Sequence, residues 1–320
     1  MNLTPEMIAI VFLDTIFLSF GMIAFFLSIK IAKYWNSNAV TPLQYALQRQ
    51  SVLVALIIKY IFIVKVPLFL FYVYTCDKLS TVITGAMCAS GVVNSVDFGL
   101  YLIVFKWFNV YLFGFWLLLH HADMQEETLP FSRLKFGLFA LFALPLFSEI
   151  FLELDFFFSL NVSKIVSCCG TLFSAASSSS LSVLFLVDER VWAGLFIGSF
   201  FAVLFASILR NSLLLIISNL LFCLFAILSL ILFFSPYVYE LPTHHCPFCL
   251  LQSEYHYVGY LLYALLFIGT FYGMAGGILD LIRQTVTKQF FTYALLFDTL
   301  YLIGIGAYPL SYFIQNGVWL

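Results

Sequence analysis

The chain has 320 residues, of which 63% are hydrophobic and only 9% are charged. Its 14 basic and 16 acidic side chains are too few to cover a water-soluble protein of this length. The net charge of −2 gives no indication of a nucleic-acid partner. Apolar runs of about 20 residues, the length that crosses a bilayer, recur throughout. The composition therefore predicts an all-α, polytopic integral membrane protein in contact with the lipid bilayer.

The apolar runs predict about eight transmembrane helices. In chain order these cover about residues 8–31, 51–74, 100–119, 136–158, 191–209, 213–234, 257–279 and 290–314. Lys33 and Arg49 place the first connection in the cytoplasm, and Arg210 and Arg283 do the same for two later connections. Both termini then lie outside. The segment 161–190 either stays outside or dips back into the membrane.

No linker, charge block or soluble domain interrupts this plan, so residues 1–320 are expected to form a single transmembrane domain. The sequence has no P-loop, nucleophile elbow, His-Glu-x-x-His pair or dinucleotide fingerprint, which leaves enzymatic activity uncertain. Additional protein subunits are expected to complete any larger site. Outer-surface cysteines without a soluble domain favour a multi-pass protein of a bacterial inner membrane, with the cysteines facing the periplasm.

Six of the seven cysteines form three close pairs, each between two long apolar segments. The pairs are Cys76 with Cys88, Cys168 with Cys169, and Cys246 with Cys249. In the topology above, all three pairs lie on the outer side, so the chain is expected to form three outward hairpins that each carry a pair. This common location indicates thiol chemistry on the outer surface.

The sharpest motif is His244-His245-Cys246-Pro247-Phe248-Cys249. A Cys-x-x-Cys pair can hold one soft metal ion, and His244 and His245 could complete the shell of copper or zinc. The same pair can close a disulfide. If a helix begins at the motif, its dipole would favour the thiolate of Cys246.

Three functions remain open. The favoured one is an outward-facing thiol site that binds or hands over a soft metal ion within a transporter or assembly complex. The second is a thiol-disulfide relay oxidoreductase. The Cys-x-x-Cys at the outer start of a span is similar to that of membrane disulfide-relay enzymes, although eight spans depart from their four-helix plan. The third is a structural subunit stapled by disulfides, for which neighbouring Cys168 and Cys169 have unfavourable bond geometry.

Six ionisable residues lie inside predicted spans, where a charge requires a partner or a water-filled cavity. They are Asp14, Lys59, Lys65, Lys106, Glu149 and Asp298. Counting about 1.5 Å per residue along each span matches Asp14 with Lys106, Lys59 with Asp298, and Lys65 with Glu149. These pairs either fix helix registry, which is favoured, or line a pathway for a cation or proton.

Overall fold

A computed structural model describes residues 4–36, 41–126, 129–161, 165–166, 180–283 and 285–320. Within these residues the regular structure is helical, without a strand. Eight helices are long and apolar enough to cross a membrane. They are α1 (Pro5–Tyr34), α2 (Pro42–Ser80), α4 (Gly99–Met124), α5 (Ser132–Ser159), α6 (Glu189–Leu209), α7 (Ser212–Tyr239), α8 (Val258–Arg283) and α9 (Lys288–Asn316), with a short helix α3 (Ala89–Asn94) before α4. The predicted all-α polytopic class with about eight spans is confirmed.

The helices place charge inside and large apolar side chains outside. Asp14 on α1 and Lys106 on α4 are buried, whereas Phe12 and Phe26 on α1 are exposed. This is the reverse of a water-soluble protein, because hydrocarbon solvates the outer face and unpaired charges must be kept away from it. The exposed apolar faces therefore contact lipid.

Short polar residues set the helix ends. Thr4 accepts a hydrogen bond from the Met7 N–H at the start of α1, and Asp188 accepts from the Arg190 N–H at the start of α6. Asn211 accepts from two N–H groups at the start of α7. These side chains satisfy N–H groups that have no partner within the helix. Because only Arg210 and Asn211 separate α6 from α7, the two helices form a tight antiparallel pair.

Helix α2 is longer than a membrane requires. Its 39 residues span about 58 Å at 1.5 Å per residue, against a hydrocarbon core of about 30 Å. Hydropathy predicted that this span ends near Tyr74 and that Cys76 lies in the connection that follows. This prediction is wrong, because Cys76 lies within the helix. Hydropathy falls after Tyr74, but Cys76 and Leu79 are both buried and lie on one helix face, so the helix continues.

Two spans contain a π-helical turn, Leu230–Phe234 in α7 and Tyr272–Gly276 in α8. In α7 the widened turn presents carbonyl groups to side-chain donors. The Ser235 hydroxyl donates to the carbonyl of Leu230 at 2.7 Å, and His245 Nδ1 donates to the carbonyl of Ile231 at 3.0 Å. The second of these bonds ties the connection after α7 back to the helix that precedes it.

The chain divides into two compact units. The first unit comprises Met1–Thr75 and Val93–Val162, and it contains α1, α4, α5 and most of α2. The second comprises Cys76–Val92 and Ser163–Leu320, and it contains the end of α2 and the helices α6 to α9. Each unit buries its own aromatic side chains, such as Phe62 with Trp116 in the first and Phe196 with Phe222 in the second. A single transmembrane domain stays a prediction.

Candidate functional site

Three buried cysteines meet in the second unit. The Sγ atoms of Cys88, Cys246 and Cys249 all lie within 4.8 Å of one another. Cys88 Sγ is 3.7 Å from Cys246 Sγ, although the two residues are 158 positions apart in the sequence. A disulfide bond is only about 2.05 Å long, so these two sulfur atoms are not bonded to each other. The group is a site of converging thiols.

The three thiols come from two connections. Cys88 immediately precedes α3, whereas Cys246 and Cys249 lie between α7 and α8. Four of the eight described spans, α4 to α7, separate the two connections, and an even number of crossings returns the chain to the same side of the membrane. The contact between Cys88 and Cys246 agrees with the prediction that both lie on one side. Its assignment to the outer side stays a prediction.

Gln252 links the two connections beside the thiols. Its side-chain nitrogen Nε2 donates to the Met87 carbonyl at 2.9 Å and to Asp77 Oδ1 at 3.1 Å. Asp77 also accepts a hydrogen bond from the backbone N–H of Ala89, the first residue of α3. The Gln252 amide therefore connects the backbone just before Cys88 to the turn that begins at Cys249.

Two tyrosines hold the backbone of the Cys-x-x-Cys segment. The Tyr239 hydroxyl donates to the carbonyl of Cys246, and the Tyr263 hydroxyl donates to the carbonyl of Pro247 at 2.7 Å. Gly259 allows α8 to approach closely, because a Cβ there would lie 2.9 Å from the backbone of Leu250. These contacts position Cys246 and Cys249 from both flanking helices.

A helix does not begin at Cys246. The only regular structure at the motif is a 3₁₀ turn, Cys249–Leu251, which is too short to carry a substantial helix dipole. The condition under which a helix dipole would favour the Cys246 thiolate is therefore not met.

The imidazoles of His244 and His245 are not members of the three-thiol group. His245 donates from Nδ1 to the Ile231 carbonyl, and its ring packs edge-on against Phe185 with centroids 5.1 Å apart. Burial lowers the pKa of His245, because desolvation outweighs the backbone hydrogen bonds that favour its charged form. His244 packs edge-on against Tyr239, with centroids 4.4 Å apart. The role of His244 and His245 as metal ligands stays a prediction.

The other cysteines are not members of this group or lie outside the described residues. Cys76 is buried in α2 and Cys223 is buried in α7, and neither belongs to the three-thiol group. Cys168 and Cys169 lie outside the described residues. Cys88 therefore shares its site with Cys246 and Cys249, whereas the sequence matched it with Cys76. The pairing of Cys76 with Cys88 stays a prediction, whereas the contact of Cys88 with Cys246 was not predicted from spacing along the chain.

The donor set suits a soft metal ion. With metal–sulfur bonds of about 2.3 Å, sulfur atoms are about 3.8 Å apart in a tetrahedral site and about 4.0 Å apart in a trigonal one. The separation of 3.7 Å between Cys88 and Cys246 is close to both values. The same proximity also allows thiol-disulfide exchange, which passes through a bond between the attacking and attacked sulfur atoms.

A second group of functional side chains lies in the first unit. Lys65 Nζ is 2.7 Å from Asp14 Oδ1, 3.2 Å from Glu149 Oε1 and 3.5 Å from Glu153 Oε2. Lys106 Nζ is 3.0 Å from Glu149 Oε1 and 2.5 Å from Glu153 Oε2. All five side chains are buried. We call these five residues the charge cluster.

The predicted contact between Lys65 and Glu149 is present. Asp14 and Lys106, which were matched by depth, both belong to the charge cluster, where Asp14 forms an ion pair with Lys65 and Lys106 forms one with Glu153. Depth along a helix does not specify which face of the helix a residue occupies. Glu153 was not among the predicted residues, although it lies on the same helix face as Glu149, four residues away. Nor was Asn109 predicted, whose amide donates to Glu149 Oε2 at 2.6 Å.

Lys59 and Asp298 belong to different units, so their predicted pairing stays a prediction. Lys59 is exposed on α2. Asp298 on α9 is fully buried, and neither carboxylate oxygen accepts a hydrogen bond from the described residues. Its Oδ1 occupies the space that a Cβ on Gly269 would fill.

Comparison with protein-family models, with curated protein sequences and with solved structures found no match for this chain. The functional assignment therefore rests on the geometry of the residues themselves.

Proposed function

We propose that this membrane protein binds a soft metal ion through the thiolates of Cys88, Cys246 and Cys249, and hands it over within a transporter or assembly complex. The observation that carries the proposal is the convergence of three buried thiols from two connections. Buried cysteine is common as a small apolar residue, but convergence of three sulfur atoms at metal-binding separations is characteristic of a ligand set.

Copper(I) is the ion that we favour. Structural zinc sites are closed by four protein ligands, whereas the group among the described residues supplies three, all sulfur. Thiolates select copper(I) among the biological metals because both are soft. Zinc would require a fourth ligand, and His244 or His245 would then have to move into the site.

Met87 offers a route for transfer. Its side chain is 77% exposed and is adjacent in sequence to Cys88. A thioether is a weaker soft ligand than a thiolate, so an ion captured at Met87 would gain affinity on passing to the buried thiols. We place this face on the outer side of the membrane, the periplasmic side of a bacterial inner membrane, where a protein partner would deliver or receive the ion.

The test is to purify the full chain anaerobically without added reductant, load it with copper(I), and measure bound copper by elemental analysis and its ligands by X-ray absorption. We expect one copper per chain with sulfur ligands. Cys88→Ser, Cys246→Ser and Cys249→Ser should each weaken copper binding by about 10-fold or more. The matched control is Cys223→Ser, which alters a buried thiol in α7 and should leave binding unchanged.

Retention of full copper affinity in the three ligand variants would contradict the proposal, as would an equal loss in Cys223→Ser. A Gln252→Leu variant separates positioning from ligation. It keeps all three sulfur atoms but releases the link between Met87 and the turn at Cys249, so affinity should fall while the sulfur ligands persist.

The separation of 3.7 Å between Cys88 and Cys246 also favours one alternative, a thiol-disulfide relay. In that reaction the Cys88 thiolate attacks the Cys246 sulfur of a Cys246–Cys249 disulfide. A bond forms between Cys88 and Cys246, and Cys249 leaves as a thiolate. The Cys249 thiolate reverses this step by attacking the Cys88–Cys246 bond, so a Cys249→Ser variant oxidised with glutathione disulfide should accumulate the Cys88–Cys246 disulfide, with two reduced glutathiones released, as detected by mass-resolved alkylation. Cycling thiols without bound copper would favour the relay, whereas permanently oxidised, inert pairs would favour a structural role.

A further inference from the structure

The charge cluster contains more carboxylates than ammonium groups. Asp14, Glu149 and Glu153 supply three carboxyl groups, and Lys65 and Lys106 supply two ammonium groups. All are buried within membrane-spanning helices. With every group ionised the cluster would carry a net charge of −1. An uncompensated buried charge is costly, so a cation must complete the cluster.

The contacts of the three carboxyl groups indicate where the compensating positive charge lies. Glu149 is bound by both lysines and by the amide of Asn109. Asp14 and Glu153, by contrast, both contact Lys65, with Asp14 Oδ1 at 2.7 Å and Glu153 Oε2 at 3.5 Å from its Nζ. Two carboxylates that share one ammonium group in this way repel each other when both are ionised, so the proton is expected on this pair.

Unsatisfied oxygen atoms at the same place provide an independent observation. Asp14 Oδ2 and Glu153 Oε1 are buried and accept no hydrogen bond from the N–H or O–H groups of the described residues. The Asp14 and Glu153 side chains are both completely inaccessible to solvent. A shared proton would give these carboxyl groups the donor that the surrounding side chains do not supply.

The groups around this pair favour a proton over a metal cation. Asp14 on α1 faces Lys65 on α2, Lys106 on α4 and Glu153 on α5. The ring of Tyr72 lies under Lys106, at 4.7 Å from Nζ. A sodium ion would enter between two ammonium groups, whereas a proton is held by a covalent O–H bond and needs no further ligands.

We propose that the charge cluster is a binding site for one exchangeable proton shared by Asp14 and Glu153. The site gives the first unit a protonated and a deprotonated state within the membrane. It is independent of the copper proposal, because it uses residues of the first unit alone.

The experiment uses the full chain in lipid nanodiscs and records the infrared C=O absorption of protonated carboxylic acids. All variants carry Asp298→Asn, so that the buried carboxyl of the second unit does not contribute. At neutral pH the parent should show the band and lose it reversibly as the pH is raised. Asp14→Asn leaves two carboxylates with two ammonium groups, so the band should disappear.

Removing an ammonium group should have the opposite effect. Lys65→Met leaves three carboxyl groups with one lysine, so the band should grow about two-fold, whereas Lys65→Arg should preserve it. Asp155→Asn is the matched control, because Asp155 lies on the same helix as Glu149 and Glu153 but is exposed and outside the charge cluster. A cluster of fixed ion pairs without a bound proton would show no band in the parent, and therefore no loss of a band in Asp14→Asn.

Two results would overturn the proposal. One is a band that persists unchanged in Asp14→Asn. The other is a parent without a band that instead contains stoichiometric sodium, lost in Asp14→Asn, which would identify a metal cation as the compensating charge.

Discussion

At the scale of single residues, glycines on α8 create the space for buried polar side chains. A Cβ on Gly269 would lie 2.1 Å from Asp298 Oδ1, and a Cβ on Gly273 would lie 2.1 Å from Asn219 Cγ. The two glycines are four residues apart and therefore lie on one helix face. Only a residue without a side chain allows α8 to pack against both polar groups.

Gly269→Ala should destabilise the protein by about 1–3 kcal/mol, the usual cost of overpacking a close contact. Combining it with Asp298→Ala should restore only part of the stability, because the backbone nitrogen of residue 298 would still lie 2.9 Å from the new Cβ. Thermal unfolding in detergent measures both effects. Gly194→Ala is the control, since a Cβ there meets nothing within 4 Å. Equal melting temperatures for Gly269→Ala and Gly194→Ala would contradict this expectation.

At the scale of elements, Asp123 holds the connection between α4 and α5. Its Oδ1 accepts from the Phe131 N–H at 2.7 Å, and its Oδ2 accepts from the Ser132 hydroxyl at 3.0 Å and from Lys135 Nζ at 2.5 Å. Trp116 on α4 donates to the Lys135 carbonyl at 2.8 Å. The end of one span and the start of the next are thus fixed by one buried ion pair and its hydrogen bonds.

Asp123→Ala should cost about 3–5 kcal/mol, because it leaves the Lys135 ammonium buried without its carboxylate. The double variant Asp123→Ala with Lys135→Met should cost less than the single change, since no buried charge is then unpaired. Chemical denaturation of the four proteins in a double-mutant cycle measures the coupling. Asp155→Ala, at an exposed position of α5, should change stability by less than about 0.5 kcal/mol. A double variant less stable than Asp123→Ala would refute this account.

At the scale of the whole molecule, hydropathy alone predicted the spans, because each helix must be apolar over the thickness of the bilayer whatever it packs against. The sequence also predicted that Cys88 and Cys246 share a side, since this follows from counting crossings. It did not predict that their sulfur atoms meet, nor that Asp14 pairs with Lys65. Those contacts depend on which face of each helix turns inwards, and this is set by packing between segments far apart in the sequence. The position of Cys76 within α2 was not predicted, because a helix can continue beyond the membrane core.

The topology makes a prediction for cysteine labelling. Met87→Cys should react with a membrane-impermeant maleimide in intact cells, because Met87 is 77% exposed in a connection assigned to the outer side. Thr285→Cys, exposed between α8 and α9, should react only after the membrane is permeabilised. The native thiols that the structure describes are buried and should contribute little background. Labelling of both positions in intact cells would contradict the orientation derived from positive charges.

The separation of 158 positions between Cys88 and Cys246 also determines when the site can assemble during synthesis. At synthesis rates of about 5–20 residues per second, Cys88 leaves the ribosome roughly 8 to 30 s before the cysteine it will face. During that interval the older thiol is a target for oxidants and for incorrect partners. The site can therefore be completed only late in biogenesis, after the sixth span in chain order and the connection that follows it have been synthesised. A cell that makes this protein must keep Cys88 reduced until then.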